Sequence, residues 1–410
     1  MRKHSSFLVG ALFTGLVMTS CGDKTQEVEF ANLTVEQNKA KLQDDGLATM
    51  QKLDGMTDMA SVYALQDFIN LSNTASIASD NVLNVVSKLI APVANLDKNV
   101  RGLTNLRSTE ASIDTISTIF DEVGGVYTYQ RATNEFTRVA NSTEITFLYP
   151  IGTSLTNNGK LTVNNLTVKS LSKEDMPSEL PKTLKVELFK NNASIFSFDW
   201  LAAYDADGVP TSWSTEFTFV EGYKFTQSMS NTEAKISWAF AYTLDNANIL
   251  SAEFSSNGNY SYDVLSNPES LSSDELAAKV IEDANAFVQL GNIKVTGVVD
   301  FANLKKASDK AFSGEETDYK TMVDKQTELF NTYIKLVVLY AEEGTAIAKS
   351  NFYTLEQTDD YGDYTNYSTN LQFEFKDGSF MDQSFFDEGF DDLIVAYQNM
   401  VTDFQTNYAQ

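Results

Sequence analysis

The chain has 410 residues, carries a formal net charge of −26, and is 42% apolar and 12% aromatic with only six prolines. That composition calls for a large folded core and no Pro-rich linker, so length allows two or three intergrown domains. The charge excludes nucleic acid and anionic head groups as partners of the protein surface, because phosphate binding needs clustered Lys and Arg.

The N-terminus reads as an address. Arg2, Lys3 and His4 form a positive segment, Phe7 to Met18 is apolar but too short to span a bilayer of about 30 Å, and Thr19 and Ser20 precede Cys21. Cys21 is the single cysteine. The run Leu16-Val17-Met18-Thr19-Ser20-Cys21 resembles the lipobox of bacterial lipoproteins, with Met18 in place of the usual Leu. The resemblance implies a signal peptide over residues 1–20, cleavage before Cys21, and lipid attachment through its thiol. Residues 21–32 then read as the lipidated Cys and an acidic tether. The membrane is thereby the first expected partner, reached through the lipid anchor.

Histidine usage narrows the chemistry. His4 is the only one and leaves with the signal. A mature chain without His, whose one Cys is acylated, cannot build a Ser-His-Asp triad, a Cys-His nucleophile, a disulfide, or a His- or Cys-ligated metal site. Carboxylate acid/base chemistry and oxygen-ligated cations are left. No cofactor is expected.

Residues 33–123 read as helical. Thr34 and Gln37 form a capping-box pattern before Leu42, Leu47, Met50 and Leu53, and Gly55 ends that stretch. Met59, Val62, Tyr63 and Ile69 continue a second stripe. Asp80 caps a third, stopped by Pro92, and Ile113, Ile116, Phe120 and Val123 mark a fourth before Gly124-Gly125.

The apolar period then changes from 3.6 to 2 over residues 124–265. The clearest runs are 184–190, 195–204, 213–220, 224–229, 235–243 and 249–254. Their links, such as Asn191-Asn192 and Glu221-Gly222, are turn-competent and force an antiparallel meander. Alternation puts Phe196, Phe198 and Trp200 on one face, with Trp213, Phe217 and Phe219, then Ile236, Trp238, Phe240 and Tyr242. Ser197, Asp199, Ser214, Glu216 and Thr218 take the other. The aromatic face needs a cover, and the flanking helices are available for it.

Residues 266–410 read as mainly helical and packed on the sheet. Ser272 and Glu275 form a second capping box ahead of Leu276, Val280, Ala284, Phe287 and Val288. Ile293 to Val299 reads as an extra strand. Thr317 caps a long helix bearing Met322, Val323, Leu329, Phe330, Tyr333, Val337 and Tyr340, ended by Gly344. Residues 346–355 and 371–375 read as late strands, and Phe386, Phe390, Leu393, Tyr397, Met400 and Phe404 as the stripe of a last helix. The fold class expected is α+β: N-terminal helices, a central antiparallel meander of about seven to nine strands, and C-terminal helices with a few late strands.

Gly125-Val126-Tyr127-Thr128-Tyr129, Phe136-Thr137-Arg138 and the run Glu144 to Pro150 look like a pattern in envelope lipoproteins of Bacteroidota-type bacteria. That group has no assigned activity to transfer. The resemblance implies an envelope lipoprotein of the outer membrane.

Among candidate chemistries, Asp199 and Glu216 are the best carboxylate pair, on the polar face of adjacent strands. Two carboxylates roughly 5–10 Å apart can hydrolyse a glycoside; solvated strand residues that aid solubility and guard against misregister are the better reading of the pair. Asp205-Ala206-Asp207-Gly208 opens like a calcium loop, and Glu216 falls at the twelfth position. Val209, Pro210 and Trp213 interrupt it, so a hairpin turn is the better reading, and no metal is expected there. The acidic loop Thr358 to Asp363 reads as solvated. The expected role is non-enzymatic binding or assembly, with a small-molecule, glycan or protein ligand; the alternative is a carboxylate-dependent hydrolase acting on glycans.

Overall fold

The computed structural model describes residues 28–77, 123–140, 144–170, 179–206, 208, 210–260, 281–314, 318–358 and 365–408. The signal peptide, Cys21, the third expected helix, all but the end of the fourth, and the Ser272–Glu275 capping box lie outside them.

Among the described residues, sixteen strands form one hydrogen-bonded sheet in the order β1-β3-β2-β4-β5 and onward in sequence to β16. They are β1 (Ser76–Ile77), β2 (Gly125–Gln130), β3 (Glu135–Val139), β4 (Ile145–Tyr149), β5 (Gly159–Ser170), β6 (Glu179–Lys190), β7 (Ala193–Tyr204) and β8 (Pro210–Phe219). There follow β9 (Tyr223–Thr232), β10 (Lys235–Leu244), β11 (Ala247–Gly258), β12 (Ile281–Leu290), β13 (Ile293–Val299), β14 (Ile334–Tyr340), β15 (Thr345–Thr358) and β16 (Thr365–Glu374). The helices are α1 (Val35–Asp54), α2 (Ala60–Thr74), α3 (Phe301–Ala311), α4 (Tyr319–Tyr333), α5 (Gln383–Asp387) and α6 (Asp391–Tyr408). β1 runs parallel to β3 and β2 parallel to β4, so the sheet is mixed.

The α+β expectation, with its sheet of about seven to nine strands and a mainly helical C-terminal third, is therefore overturned: strands fill much of what reads as helix. The Leu276–Val288 stripe is one case. Residues 281–290 form β12, in register with β11 and β13. Ala284, Ala286, Val288 and Leu290 also sit at period 2, and so short an apolar run fits both periods. Strand pairing decides. The long helix expected over 317–344 is the second case. It stops at Tyr333, and Ile334-Lys335-Leu336-Val337-Val338-Leu339-Tyr340, rich in β-branched residues, pairs with β13 instead. The last helix is broken as well, with Gly389 at φ +84° between α5 and α6.

Other expectations hold. Thr34 Oγ1 accepts from Gln37 N at 3.2 Å while Gln37 Oε1 accepts from Thr34 N at 2.9 Å, a complete capping box. The hairpin turns carry Asn191 and Asn192 at φ +52° and +65°, the left-handed pair of a type I′ turn. Asp318, not Thr317, caps α4 by accepting from Thr321 N at 3.1 Å.

The chain divides into two compact units, one of Asp58–Ser228 with Thr243–Asn246, the other of Met1–Thr57, Met229–Tyr242 and Ala247–Gln410. In the first, α2 covers the apolar face. Ala64 and Phe68 pack on Tyr127, Phe147, Tyr149, Leu188 and Phe198. Met59 offers α2 no side-chain cap, and Glu221 from the β8–β9 turn supplies one, accepting from Ser61 N at 3.0 Å and Ser61 Oγ at 2.7 Å. A carboxylate there also suits the helix dipole. In the second unit Leu42 of α1 packs with Val338, Tyr340, Ile347, Phe373 and Phe385. Tyr340 OH, fully enclosed, donates to Asn38 Oδ1 at 3.0 Å.

Candidate functional site

The aromatic face of β7 and β8 is packed, not open. Phe196 pairs with Phe219 and Phe198 with Phe217 across the two strands, and these rings belong to the core under α2. Trp200 and Trp213 stack at 5.9 Å with planes 6° apart, and Trp200 Nε1 donates to Pro181 O at 3.3 Å. Phe196, Phe198 and Phe217 are therefore core residues, while Trp200 and Trp213 are partly buried.

The opposite face of the same strands carries the candidate site. Register brings Lys185, Asp199 and Glu216 side by side across β6, β7 and β8. Directly opposed residues of neighbouring antiparallel strands hold their Cβ atoms about 4.5–5.5 Å apart and on one face. From β9, Lys224 reaches the pair, with its Nζ 3.0 Å from Glu216 Oε1. Beside it, Lys185 Nζ lies 3.0 Å from Glu187 Oε1. The two carboxylates singled out in the sequence are thus brought together. The two lysines beside the carboxylates are the unforeseen members: counting back through the Asn191-Asn192 turn alone sets Lys185 opposite Phe198, and the register shift between Leu188 and Phe189 is what brings it opposite Asp199.

Lys185, Asp199 and Glu216 line a recess of about 650 Å³ running from β5 to β9. Its wall includes Thr167, Thr183, Ser214, Thr226 and Gln227. Thr167 and Thr183 share a hydroxyl hydrogen bond of 2.7 Å. Leu201, two residues from Asp199 and on the same face, is 58% exposed in that wall, an apolar contact among hydrogen-bonding groups.

Partial burial raises Asp199 above its ordinary value; Lys185 opposes this, while Glu216 and Glu187 add to it. The hydrogen bond to Glu187 leads the causes that raise Lys185. Direct opposition across β7 and β8 brings the two side chains near one another. Yet Glu216, 44% exposed, is engaged by Lys224, and Asp199 is also open to water. The arrangement offers alternating charges and hydroxyls on an exposed wall, a surface for hydrogen-bonding a polar ligand.

Neither calcium reading gains a ligand set. Asp205 sits in the β7–β8 turn, where its carbonyl accepts from Gly208 N at 3.2 Å and from Lys169 Nζ, while Glu216 turns to Lys224 on the sheet. The 359–364 loop lies outside the described residues, as does Cys21. Among the described residues no cluster of three or more His, Cys, Asp or Glu side chains is placed to hold a metal ion, and no helix is long and apolar enough to cross a membrane.

No protein-family model matches the chain, and no curated protein matches it. Among solved structures, a porin-like protein from Bacteroides vulgatus aligns over 53% of this chain and 84% of its own, at 6% identity and a TM-score of 0.17. An overlap that slight carries no argument about fold or function.

Proposed function

We propose that the chain is an envelope lipoprotein, anchored through Cys21 in the outer membrane, with a non-enzymatic binding role whose ligand sits in the β5–β9 recess. The address rests on the lipobox-like run ending at Cys21 and on the resemblance to Bacteroidota-type lipoproteins. The binding role rests on one observation: a recess of about 650 Å³ whose wall mixes hydroxyl, amide, carboxylate and ammonium groups with the exposed Leu201. Volume in the range of about 300–1,000 Å³ with a few convergent polar groups is what a small-ligand site needs. A neutral glycan suits this wall, because vicinal hydroxyls bond to paired carboxylates and demand no net charge from the protein.

The test is titration of the purified full chain against a panel of neutral and charged oligosaccharides, beside a Leu201→Asp variant. Saturable binding lost in the variant supports the reading; equal binding by both, or none to any compound, overturns the recess as the site. For the anchor, Cys21→Ser should release the protein from membranes, and a variant still acylated and membrane-bound refutes it.

A second reading has one observation in its favour, the register of Asp199 beside Glu216 with Asp199 shifted upward. A carboxylate-dependent hydrolase acting on glycans would use Asp199 as the acid and Glu216 as the second carboxyl group. Turnover abolished by both Asp199→Asn and Glu216→Gln would favour it over binding alone.

A further inference from the structure

Strand β16 ends the sheet order, and its outer edge has an unusual composition. It is ten residues long, pairs with β15 without a register shift, and from Thr365 to Phe373 contains no charged residue and no proline. Edges are ordinarily kept from pairing by shortness, by Lys, by Pro or by a bulge. The strand at the other end of the order, β1, is two residues long. β16 has none of these guards, in a chain of net charge −26.

Which backbone groups face outward follows from the turn after β16. Met381 N donates to Phe373 O at 2.8 Å and Phe375 N to Ser379 O at 2.8 Å, so the odd-numbered residues point away from β15. Phe373 is thereby engaged. The N–H and C=O groups of Thr365, Tyr367, Thr369 and Leu371 face outward with no partner among the described residues. Leu371 is 37% exposed, and Phe380, bridged to Glu374 just beyond the strand, is 42% exposed. The other side of these residues is fixed, since Thr369 Oγ1 lies 3.0 Å from Thr327 Oγ1 of α4.

We propose that this edge pairs with the same edge of a second copy, β16 against β16 in antiparallel sense about a two-fold axis at Ser368. The free residues are centred on Ser368. A two-fold there sets Tyr367 opposite the partner copy's Thr369 and Thr365 opposite its Leu371, and every outward N–H meets an outward C=O. Nothing is left over, and Phe373 is not needed. Side-chain pairs are favourable too: aromatic against β-branched, Thr against Leu, Asn366 against Asn370. The match of the edge to itself about Ser368 selects the occupant. Residues 365–373 carry no charge, Lys320, whose Nζ lies 5.7 Å from the centre of the Tyr367 ring, is ion-paired with Asp324 at 2.8 Å, and beyond a Debye length of about 8 Å the net charges of two copies are screened at physiological salt. A closed two-fold also removes the edge from further pairing.

Sedimentation of the full chain in mild detergent is the test. The wild type should run as a dimer at micromolar concentration. Tyr367→Pro deletes an outward N–H and no bond to β15, and should run as a monomer with an unchanged circular dichroism spectrum. If it fails to fold, Ser368→Lys sets two ammonium groups face to face across the axis and should do the same. At the axis Ser368 sits in a non-hydrogen-bonded pair, with Cα atoms about 4.5 Å apart, within disulfide reach. Ser368→Cys in a Cys21→Ser background should therefore give a reducible dimer on mild oxidation. A wild type monomeric at all concentrations, or cross-linking of the S368C chain to a different polypeptide, overturns the proposal.

Discussion

Replacing Phe68 by Ala removes the main apolar anchor of α2. Phe68 is 4% exposed and meets Phe147 at 5.1 Å edge-on and Tyr149 at 5.3 Å. A buried Phe→Ala change costs about 3–5 kcal/mol, each aromatic contact accounting for about 0.5–1.5 of it beyond area. What then holds the helix is Ala64, the cap from Glu221, and the 2.9 Å hydrogen bond from Tyr149 OH to Ala64 O. A helix of 15 residues is marginal in water without packing. Native-state hydrogen exchange should show α2 amides losing protection by roughly a hundred- to a thousandfold, since about 1.4 kcal/mol is a factor of ten. Tyr149→Phe gives the contrast. It removes one hydrogen bond whose acceptor is a helix carbonyl, so about 1 kcal/mol and roughly fivefold are expected. A loss below tenfold in F68A, or a larger effect in Y149F than in F68A, would refute the argument that packing on the sheet, not capping, holds α2.

Lys294 gives a pH prediction: its Nζ lies 3.5 Å from the centre of the Phe287 ring, and burial lowers its pKa, with Glu253 opposing. A lowered folded value means the charged form is disfavoured by folding, a cost that is full at neutral pH and fades as pH rises through the unfolded value of about 10.4. Lys294→Met should therefore raise the melting temperature at pH 7 and lose that advantage near pH 11; destabilisation at pH 7 would mean the ring contact outweighs burial. Burial raises Tyr204 to about 12 and raises Tyr149 as well. Both phenols then stay protonated in the folded chain after unfolded tyrosines ionise, so their contribution is intact below about pH 10 and is lost above it. Ultraviolet titration should show these tyrosines ionising only with unfolding. Asn192→Val forces a β-branched residue to φ +65° in the β6–β7 turn and should cost about 1–2 kcal/mol by thermal melting, with Asn192→Gly near neutral.

Legibility differed by segment for physical reasons. The meander from β6 to β11 is written in alternation with connections of two to five residues, so its strands and its two faces could be read directly, Asp199 and Glu216 included. β12 and β14 could not. Each is a short apolar run flanked by helix-compatible residues, and its state depends on the strand it meets. Lys224 was hidden differently: its relation to Glu216 depends on the register across the Glu221-Gly222 turn. The filled aromatic face under Phe68 was equally beyond reach, because 3.6-periodicity tells that a helix has an apolar side without telling which surface it meets.

The sequence by itself settles the acidic surface, the Thr34–Gln37 cap, the turn positions and the alternating faces, because each depends on residues a few places apart. It also carries the case for Cys21 as an anchor. Tertiary structure alone decided that the described residues form a sheet of sixteen strands, that Lys185, Asp199 and Glu216 lie side by side with Lys224 ion-paired to Glu216, and that β16 is left at an edge. Those outcomes rest on hydrogen bonds between segments, and a backbone N–H carries no sequence signal about which distant carbonyl it will find.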